Sequence, residues 1–263
     1  MRRTFLMIAS VIVLSLLAVA PAAAITFGQP DGNRHPNVGA LIAEYIQPGQ
    51  KDVLCSGTLI APTVFLTASH CTAYLDSIGI GPSDVWVTFD PTPDQNSKYI
   101  PGTYHTNPLF GHDSADPQDI AVVVLDYAPA GITPAQLPSA GFLDALKRQG
   151  TLNSQWFTAV GYGTERTSKT GGPHAFVFNG ERRFATQGFL SLTKSWITLS
   201  ENISTGSGGT CYGDSGGPHF LGATNLIVAI TITGDAQCRA TDKDYRLDTA
   251  SARAFLGQFL VLP

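Results

Sequence analysis

Short runs of apolar and β-branched residues recur along the chain, and Gly, Pro, Asn and Asp residues separate them. Runs of this length and composition predict the strands of an antiparallel barrel or sandwich. Helical patterns of ten or more residues, which a parallel α/β sheet would need between its strands, are missing. The sequence therefore predicts an all-β fold. The predicted strands are Val38–Ile46, Leu54–Ile60, Thr63–Thr67, Val85–Phe89, Ile120–Leu125, Trp156–Gly161, Trp196–Leu199 and Leu226–Ile232.

Two helices are expected beside these strands. One covers Ser139–Gln149 and stops at Gly150, a residue that commonly ends a helix. The other covers about residues 251–260, where Ala254, Phe255 and Phe259 recur at helical spacing. The segment Pro129–Pro138 is the best candidate for a connection between two halves of the fold.

Composition and charge narrow the class of protein further. The chain is rich in Gly (27) and Pro (17), and only 14% of its 263 residues are charged, which suits a turn-rich β protein. Its net charge of −4 argues against a nucleic-acid partner, which would call for a basic patch.

The first 24 residues form a pattern of their own. Arg2 and Arg3 precede an apolar run from Phe5 to Ala20, and small residues follow up to Ala24. A basic start, an apolar stretch and an A-x-A ending are typical of a secretory signal peptide. A membrane anchor is the alternative, but the apolar run is short for a span. We therefore expect residues 1–24 to be removed, leaving a secreted domain over residues 25–263 that does not associate with a membrane.

The chain contains four cysteines, at positions 55, 71, 211 and 238. An even count in an exported protein indicates two disulfides, for which three connectivities are possible. Zinc binding is the competing interpretation, but no pair shows the short spacing of a structural zinc site. We expect no metal and no cofactor.

A serine between glycines lies at Gly213-Asp214-Ser215-Gly216-Gly217. The stretch matches G-x-S-x-G, the nucleophile turn of α/β-hydrolases, whose acid and histidine follow the serine in that order. Here His219 is the one histidine after Ser215, and no acid separates the two. An esterase or lipase of that fold is therefore disfavoured.

Four motifs in order resemble the trypsin/chymotrypsin family. They are C-S-G-T-L-I at residues 55–60, T-A-S-H-C at 67–71, Q-D-I-A at 118–121 and G-D-S-G-G-P at 213–218. The resemblance extends from Ile25 to the predicted C-terminal helix. It implies two six-stranded antiparallel Greek-key β-barrels, over about residues 38–128 and 139–250, followed by a helix at about 251–260. Disulfides common in vertebrate members are absent, so the chain resembles a minimal microbial member.

The resemblance also implies the chemistry. Ser215 would be the nucleophile, His70 the general base and Asp119 the group that orients the histidine. The backbone N–H groups of Gly213 and Ser215 would form the oxyanion hole. Cys55 would pair with Cys71, and Cys211 with Cys238. The expected activity is that of a serine endopeptidase, a hydrolase of protein or peptide substrates, and we expect a monomer.

Activation in this family uses a new N-terminal Ile or Val whose ammonium pairs with the Asp before the serine. Ile25-Thr26-Phe27-Gly28 resembles the family's start and directly follows Ala24. We therefore hypothesise that signal cleavage frees Ile25 to pair with Asp214. An ordinary first strand is the alternative.

The substrate pocket is expected around Gly209, Thr210, Ile232, Thr233 and Gly234. Trypsin carries an Asp at the position of Gly209, so an Arg side chain would enter here without a partner, and we expect no preference for Arg or Lys. If Ile232-Thr233-Gly234 corresponds to the family's Ser-Trp-Gly triplet, Ile232 replaces the serine that supports the catalytic Asp, and another donor has to serve Asp119; a different register is the alternative. If Lys243 lies near the base of the pocket, the enzyme would prefer acidic substrate side chains. Because Asp242 and Asp244 flank Lys243, we instead interpret the three residues as a solvated charge cluster.

The second alternative for function is a catalytically inactive, protease-like binding protein. Such proteins usually lose a member of the triad or the oxyanion glycine. This chain retains His70, Asp119, Ser215 and Gly213. The sequence therefore favours the enzyme.

Overall fold

A computed structural model describes residues 25–166 and 176–263 of the chain. After a short strand, β1 (Gln29–Pro30), six strands close into a first barrel. They pair antiparallel in the order β2-β3-β4-β7-β6-β5. Because β5 returns beside β2, strands β2 to β5 form a Greek key. Their bounds are β2 (Val38–Ala43), β3 (Asp52–Ala61), β4 (Val64–Thr67), β5 (Val85–Thr88), β6 (Ile100–Thr106) and β7 (Ala121–Leu125).

A second antiparallel sheet closes in the same way, in the order β8-β11-β12-β15-β14-β13 with β8 also paired to β13. Strand β13 returns beside β8, so this barrel is also a Greek key. Strand β1 extends it at β11, and β9 and β10 form a separate ladder. The bounds are β8 (Trp156–Gly161), β9 (Glu165–Arg166), β10 (Phe176–Val177), β11 (Arg183–Leu192), β12 (Trp196–Ser200), β13 (Pro218–Leu221), β14 (Ile227–Gly234) and β15 (Thr241–Arg246).

Three clusters of buried apolar residues hold this arrangement together. One fills the first barrel around Phe65 and Val123, and another fills the second barrel around Phe157 and Ile197. The third contains residues of both barrels, such as Leu66 and Tyr162. Burial of this shared apolar surface fixes the barrels against each other, and the site described below lies where they meet.

Within the described ranges, three α-helices accompany the strands. α1 (Ser69–Ser77) follows β4 directly, α2 (Phe142–Arg148) precedes the second barrel, and α3 (Ala250–Leu256) follows β15. α2 is shorter than the predicted helix at Ser139–Gln149, because Gly141 takes a left-handed conformation immediately before it. α3 begins at Thr249, whose side chain caps the N–H of Ala252, and ends at Gly257 rather than near residue 260.

The predicted all-β class, the two six-stranded Greek-key barrels and a C-terminal helix are confirmed. The strands that close the first barrel lie between residues 38 and 125, and those of the second between 156 and 246. The proposed signal segment, residues 1–24, lies outside the described residues. Within the described ranges, every helix is too short or too polar to cross a membrane.

Candidate active site

His70 and Asp119 form a doubly bonded pair at the junction of the barrels. The Nδ1 atom of His70 lies 2.8 Å from Oδ2 of Asp119, and the His70 backbone N–H donates to Oδ1 at 2.8 Å. Asp119 is buried, whereas the His70 side chain retains 34% of its exposure. Ser69 Oγ donates to the carbonyl of Ile120 at 2.7 Å, so the start of α1 is tied to the start of β7. These contacts fix the Nδ1 side of the imidazole and leave the His70 side chain partly exposed to solvent.

A disulfide between Cys55 and Cys71 links β3 to α1 beside His70. The second disulfide joins Cys211 to Cys238. The two bonds have the connectivity that the resemblance implied. Each closes a loop around a segment of the site, which lowers the entropy of the unfolded chain.

The Ser215 loop from the second barrel packs against the segment that leads into α1. The Ser56 N–H donates to the Ser215 carbonyl at 2.9 Å. A Cβ at Gly216 would collide with Thr67 and lie 2.7 Å from the N atom of Ala68, two residues before His70. Gly216 also has φ +78°, so both space and backbone conformation require glycine there. Within the described ranges, no hydrogen bond yet joins Ser215 Oγ to His70, a contact that often tightens on substrate binding.

The backbone around Ser215 presents two N–H groups without protein acceptors. Within the described part of the chain, neither the Gly213 nor the Ser215 N–H donates to another residue. Gly213 has φ +96°, and its carbonyl accepts from Ser56 Oγ at 3.0 Å, which directs the carbonyl away from the N–H side. The two donors are therefore available to a substrate oxygen.

Asp214 is fully buried beneath this loop. Its carboxylate accepts hydrogen bonds from the N–H groups of Gly163 (2.8 Å) and Cys211 (2.9 Å). Burial raises the pKa of Asp214 to about 7, and the structure shows no ion pair to it within the described ranges. Ile25 is also fully buried, and Thr26 beside it accepts from the Gly209 N–H at 2.9 Å. Residues 25 and 26 therefore lie beside the segment of the second barrel that leads into the Ser215 loop.

A cavity of about 230 Å³ opens next to Ser215. Of the five predicted pocket residues, Thr210, Ile232, Thr233 and Gly234 line it, together with the disulfide of Cys211 and Cys238. Gly209 does not line it, and a Cβ at this position would collide with the side chain of Glu201. The volume suits one amino-acid side chain, since pockets for drug-sized ligands start at roughly 300 Å³.

Behind the cavity wall lies a buried acidic cluster that the sequence analysis missed. It consists of Glu201, His219, Asp242 and Asp244, each at most 1% exposed. The interpretation of Asp242, Lys243 and Asp244 as a solvated charge cluster is wrong, because Lys243 alone faces solvent. His219 is also buried. The sequence did contain a signal for this burial. Alternate residues of a strand point to opposite faces, so residues 242, 244 and 246 of β15 share one face and Lys243 lies on the other.

The contacts within the acidic cluster are specific. Asp242 Oδ2 accepts from Thr210 Oγ1 at 2.8 Å and from Gln187 Nε2 at 2.9 Å. His219 Nε2 lies 2.9 Å from Oδ1 of Asp244. Burial raises the pKa of Asp244 well above its usual value, and the neighbouring carboxyl of Asp242 adds to the effect.

The same cluster contains the set of described residues best placed to hold a metal ion. Ligand atoms of His219, Asp242 and Asp244 lie within 4.8 Å of one another. A second group of this kind includes Cys55 and Cys71, which the disulfide removes as ligands. The hydrogen bonds from Thr210 and Gln187 already occupy Oδ2 of Asp242.

Ile232 is half-buried and packs against apolar residues of both barrels. Its side chain has no hydroxyl to donate to Asp119. Within the described ranges, both hydrogen bonds to Asp119 come from His70 itself.

Comparisons with known proteins agree with this geometry. A family model described as Trypsin matches residues 43–254. The chain is 30% identical over 181 residues to a Bos taurus protein named suppressor of tumorigenicity 14 protein homolog. The aligned region covers 63% of this chain and 20% of that protein. It is 33% identical over 92 residues to the thrombin-like enzyme okinaxobin-1 of Ovophis okinavensis, covering 35% of this chain and 86% of the enzyme.

A solved structure titled HL collagenase is similar in fold, with a TM-score of 0.66. The superposition covers 89% of this chain and 97% of that one at 19% identity. This likeness supports the two-barrel fold alone. The chain spans about a fifth of the length of the Bos taurus protein. The activity of that whole protein is therefore not assigned to this chain.

Proposed function

The chain belongs to the trypsin family of serine proteases, and from that premise we propose that it is a secreted serine endopeptidase acting through Ser215, His70 and Asp119. The observation that carries the proposal is the His70–Asp119 pair, held by two hydrogen bonds of 2.8 Å beside the Ser215 loop. The retention of all three residues weighs against a catalytically inactive binding protein.

The reaction proceeds in two halves. His70 Nε2 takes the proton from Ser215 Oγ as the oxygen attacks the scissile carbonyl carbon, and it then gives the proton to the leaving amine. Water hydrolyses the resulting acyl-enzyme with His70 again as base, which frees the carboxylic acid and restores Ser215. Asp119 keeps the proton on Nδ1, so Nε2 remains free to accept.

The Gly213 and Ser215 N–H groups stabilise the negative oxygen of each tetrahedral intermediate. A donor of this kind is worth about 3 kcal/mol of transition-state stabilisation. Because the N–H groups are fixed by the backbone, they need no reorganisation as charge develops.

Activation is the next part of the proposal. Removal of residues 1–24 on secretion would give Ile25 a free ammonium, which pairs with the buried carboxylate of Asp214. The burial of Ile25 and the Thr26–Gly209 hydrogen bond support this pairing, as does the absence of another cation on Asp214 within the described ranges. N-terminal sequencing of the secreted protein should begin at Ile25, and a different start would contradict the proposal.

The activity is tested with a mixed peptide library and an organophosphonate probe. Wild-type protein should cleave peptides and carry the probe on Ser215, and Ser215→Ala should lose about a million-fold in kcat and all labelling. Ser154→Ala, which removes an exposed hydroxyl, is the matched control and should retain both. A wild-type protein that neither cleaves nor labels would identify an inactive scaffold.

Protein or peptide substrates, a monomeric state, and independence from cofactors and metal remain predictions of the proposed function. So does the absence of nucleic-acid and membrane partners. The expectation of no preference for Arg or Lys rested on Gly209 alone.

A further inference from the structure

The side chain of Ser56, on strand β3 of the first barrel, reaches the loop of the second barrel that carries the two oxyanion-hole donors. We propose that Ser56 is a positioning residue, whose hydroxyl holds the Gly213 carbonyl so that the N–H groups of Gly213 and Ser215 converge on one substrate oxygen. This inference rests on the proposed function, because it assigns a further residue to the same reaction.

Each of the two donors belongs to a peptide group whose carbonyl is held by the second barrel. In the first peptide, the Tyr212 carbonyl accepts from the Thr164 N–H at 2.6 Å. In the second, the Asp214 carbonyl accepts from the Gly217 N–H at 2.8 Å. The N–H of a trans peptide points away from its carbonyl, so both donors are directed away from these contacts.

The peptide group between these two is held from the first barrel. Its carbonyl, that of Gly213, accepts from Ser56 Oγ at 3.0 Å, and no other donor reaches it from the described residues. Its N–H, that of Asp214, donates to the Cys211 carbonyl at 3.0 Å. Because this peptide connects the two donors, its orientation sets the angle at which they converge. Gly213 has φ +96°, where only glycine rotates freely, so the contact with Ser56 restrains a residue with much conformational freedom.

The Ser56 hydroxyl is itself oriented by the second barrel. The Tyr162 N–H donates to Ser56 Oγ at 2.9 Å, which leaves the hydroxyl proton for the Gly213 carbonyl. Hydrogen bonds in series polarise one another inside a protein. The next residue, Gly163, donates its N–H to the Asp214 carboxylate at 2.8 Å. Three successive N–H groups, at residues 162–164, therefore hold the Ser215 loop, and the first of them acts through Ser56.

The backbone contacts of Ser56 do not depend on its hydroxyl. Its N–H donates to the Ser215 carbonyl at 2.9 Å, and its carbonyl accepts from Thr67 Oγ1 at 2.9 Å. Ser56 is also fully buried, so bulk solvent does not replace a missing hydroxyl. A Ser56→Ala substitution therefore leaves the Gly213 carbonyl without a donor while the strand stays attached to the loop.

Thr58 offers a matched control on the same strand. Residues 56 and 58 lie on the same face of β3, because side chains alternate along a strand. Thr58 is also fully buried, and its Oγ1 has no hydrogen-bond partner within the described ranges. Thr58→Val thus removes a buried hydroxyl from β3 without removing a contact to the Ser215 loop.

The first test measures hydrolysis of a peptide amide that the wild type cleaves, with kcat expressed per Ser215 labelled by the phosphonate. Ser56→Ala should lower kcat roughly 10- to 100-fold, less than outright loss of an oxyanion-hole donor, and change KM by less than about threefold. Thr58→Val should keep both constants within about twofold of wild type, because its hydroxyl makes no hydrogen bond. Counting labelled sites removes misfolded molecules from the comparison.

A peptide aldehyde of the same sequence separates positioning from a general loss of structure. Ser215 Oγ adds to the aldehyde carbon, His70 takes the hydroxyl proton, and the aldehyde oxygen becomes an oxyanion between the two N–H groups. The corresponding peptide alcohol binds without this step. Ser56→Ala should raise the Ki of the aldehyde by the factor by which it lowers kcat/KM, and it should leave the Ki of the alcohol unchanged.

If Ser56→Ala yields no labelled protein, Ser56→Gly, which removes the same hydroxyl, is measured in the same way. A kcat/KM within about threefold of wild type in a labelled variant would overturn the inference. Equal weakening of the aldehyde and the alcohol, or an equal loss in Thr58→Val, would overturn it too. So would two variants that fold, as judged by circular dichroism, but never label, because misdirected donors slow the reaction without abolishing it. Failure of the proposed function looks different, because then the wild type cleaves no peptide and Ser215 does not label.

Discussion

Two buried charged clusters in this molecule are built on opposite principles. Between the barrels, the guanidinium of Arg182 donates five hydrogen bonds, to Asp31 (2.9 Å), Val38, Phe89, Tyr162 and Gly32. The side chains of Arg182 and Asp31 are both fully buried. Although burial acts to raise the pKa of Asp31, its hydrogen bond with His35 and the charge of Arg182 lower it overall.

The acidic cluster behind the cavity contains three carboxyl groups and no cation within the described ranges. Oxygen atoms of Glu201, Asp242 and Asp244 are buried there without a hydrogen-bond partner. The Arg182 cluster is electrically balanced and closed, whereas the acidic cluster is unbalanced and adjoins a cavity. The paired charges of the Arg182 cluster join elements of the fold, whereas the carboxyl groups buried together in the acidic cluster raise the pKa values of Glu201 and Asp244.

The largest expected effect comes from breaking the balanced cluster. Arg182→Met should lower the free energy of unfolding by about 3–5 kcal/mol, because it leaves Asp31 buried without its partner. Urea denaturation in a Ser215→Ala background, where the chain cannot digest itself, measures the change.

Arg148→Met, at the exposed end of α2, is the control and should change stability by less than about 0.5 kcal/mol. Equal effects at the two positions would mean that Arg182 does not hold the barrels together.

A smaller effect on the free energy of unfolding is expected from the acidic cluster, and its size depends on pH. The folded-state pKa of Glu201 is raised to about 11 from an ordinary 4.5, so the folded protein binds a proton that the unfolded chain has released. Its stabilising contribution is complete below about pH 4.5 and is lost as pH rises toward 11. Glu201→Gln should therefore make the fall in unfolding free energy between pH 7 and 9 shallower by about 1.4 kcal/mol per pH unit.

Glu44→Gln provides the contrast for this measurement. A hydrogen bond from the Gly49 N–H lowers the pKa of Glu44, so its contribution is present above the ordinary pKa and is lost only in acid. The slope between pH 7 and 9 should be unchanged in Glu44→Gln. An unchanged slope in Glu201→Gln as well would show that Glu201 is ionised in the folded protein.

The smallest effect is expected at Lys243, which lies between Asp242 and Asp244 in sequence but on the opposite face of β15. Lys243→Ala removes a cation–π contact with Trp196 and should cost about 0.5–1 kcal/mol of stability. The rates of cleavage of peptides with Arg, Lys, Asp or Glu before the bond should not change. A gain in cleavage of Arg peptides would place Lys243 near the pocket after all.

The strands that could be predicted from sequence were those whose apolar residues face a core. Trp156–Gly161 was predicted with its observed bounds, and Val85–Phe89 to within one residue. Arg183–Leu192 and Thr241–Arg246 were missed, because polar and charged residues on them point inward and remove the apolar alternation. α1 was missed for a related reason, since its nine residues are too few for a clear helical period.

The sequence by itself determined the fold class, the family and the residues proposed for catalysis, because short motifs such as T-A-S-H-C and G-D-S-G-G-P carry their information locally. Only the tertiary structure decided which charges share a site. Asp242 is 27 residues from Ser215 in the chain and flanked by another acid and a lysine, so its local sequence suggested solvent. The pairing of β15 with β14 turns it inward behind Thr210, where its side chain is fully buried.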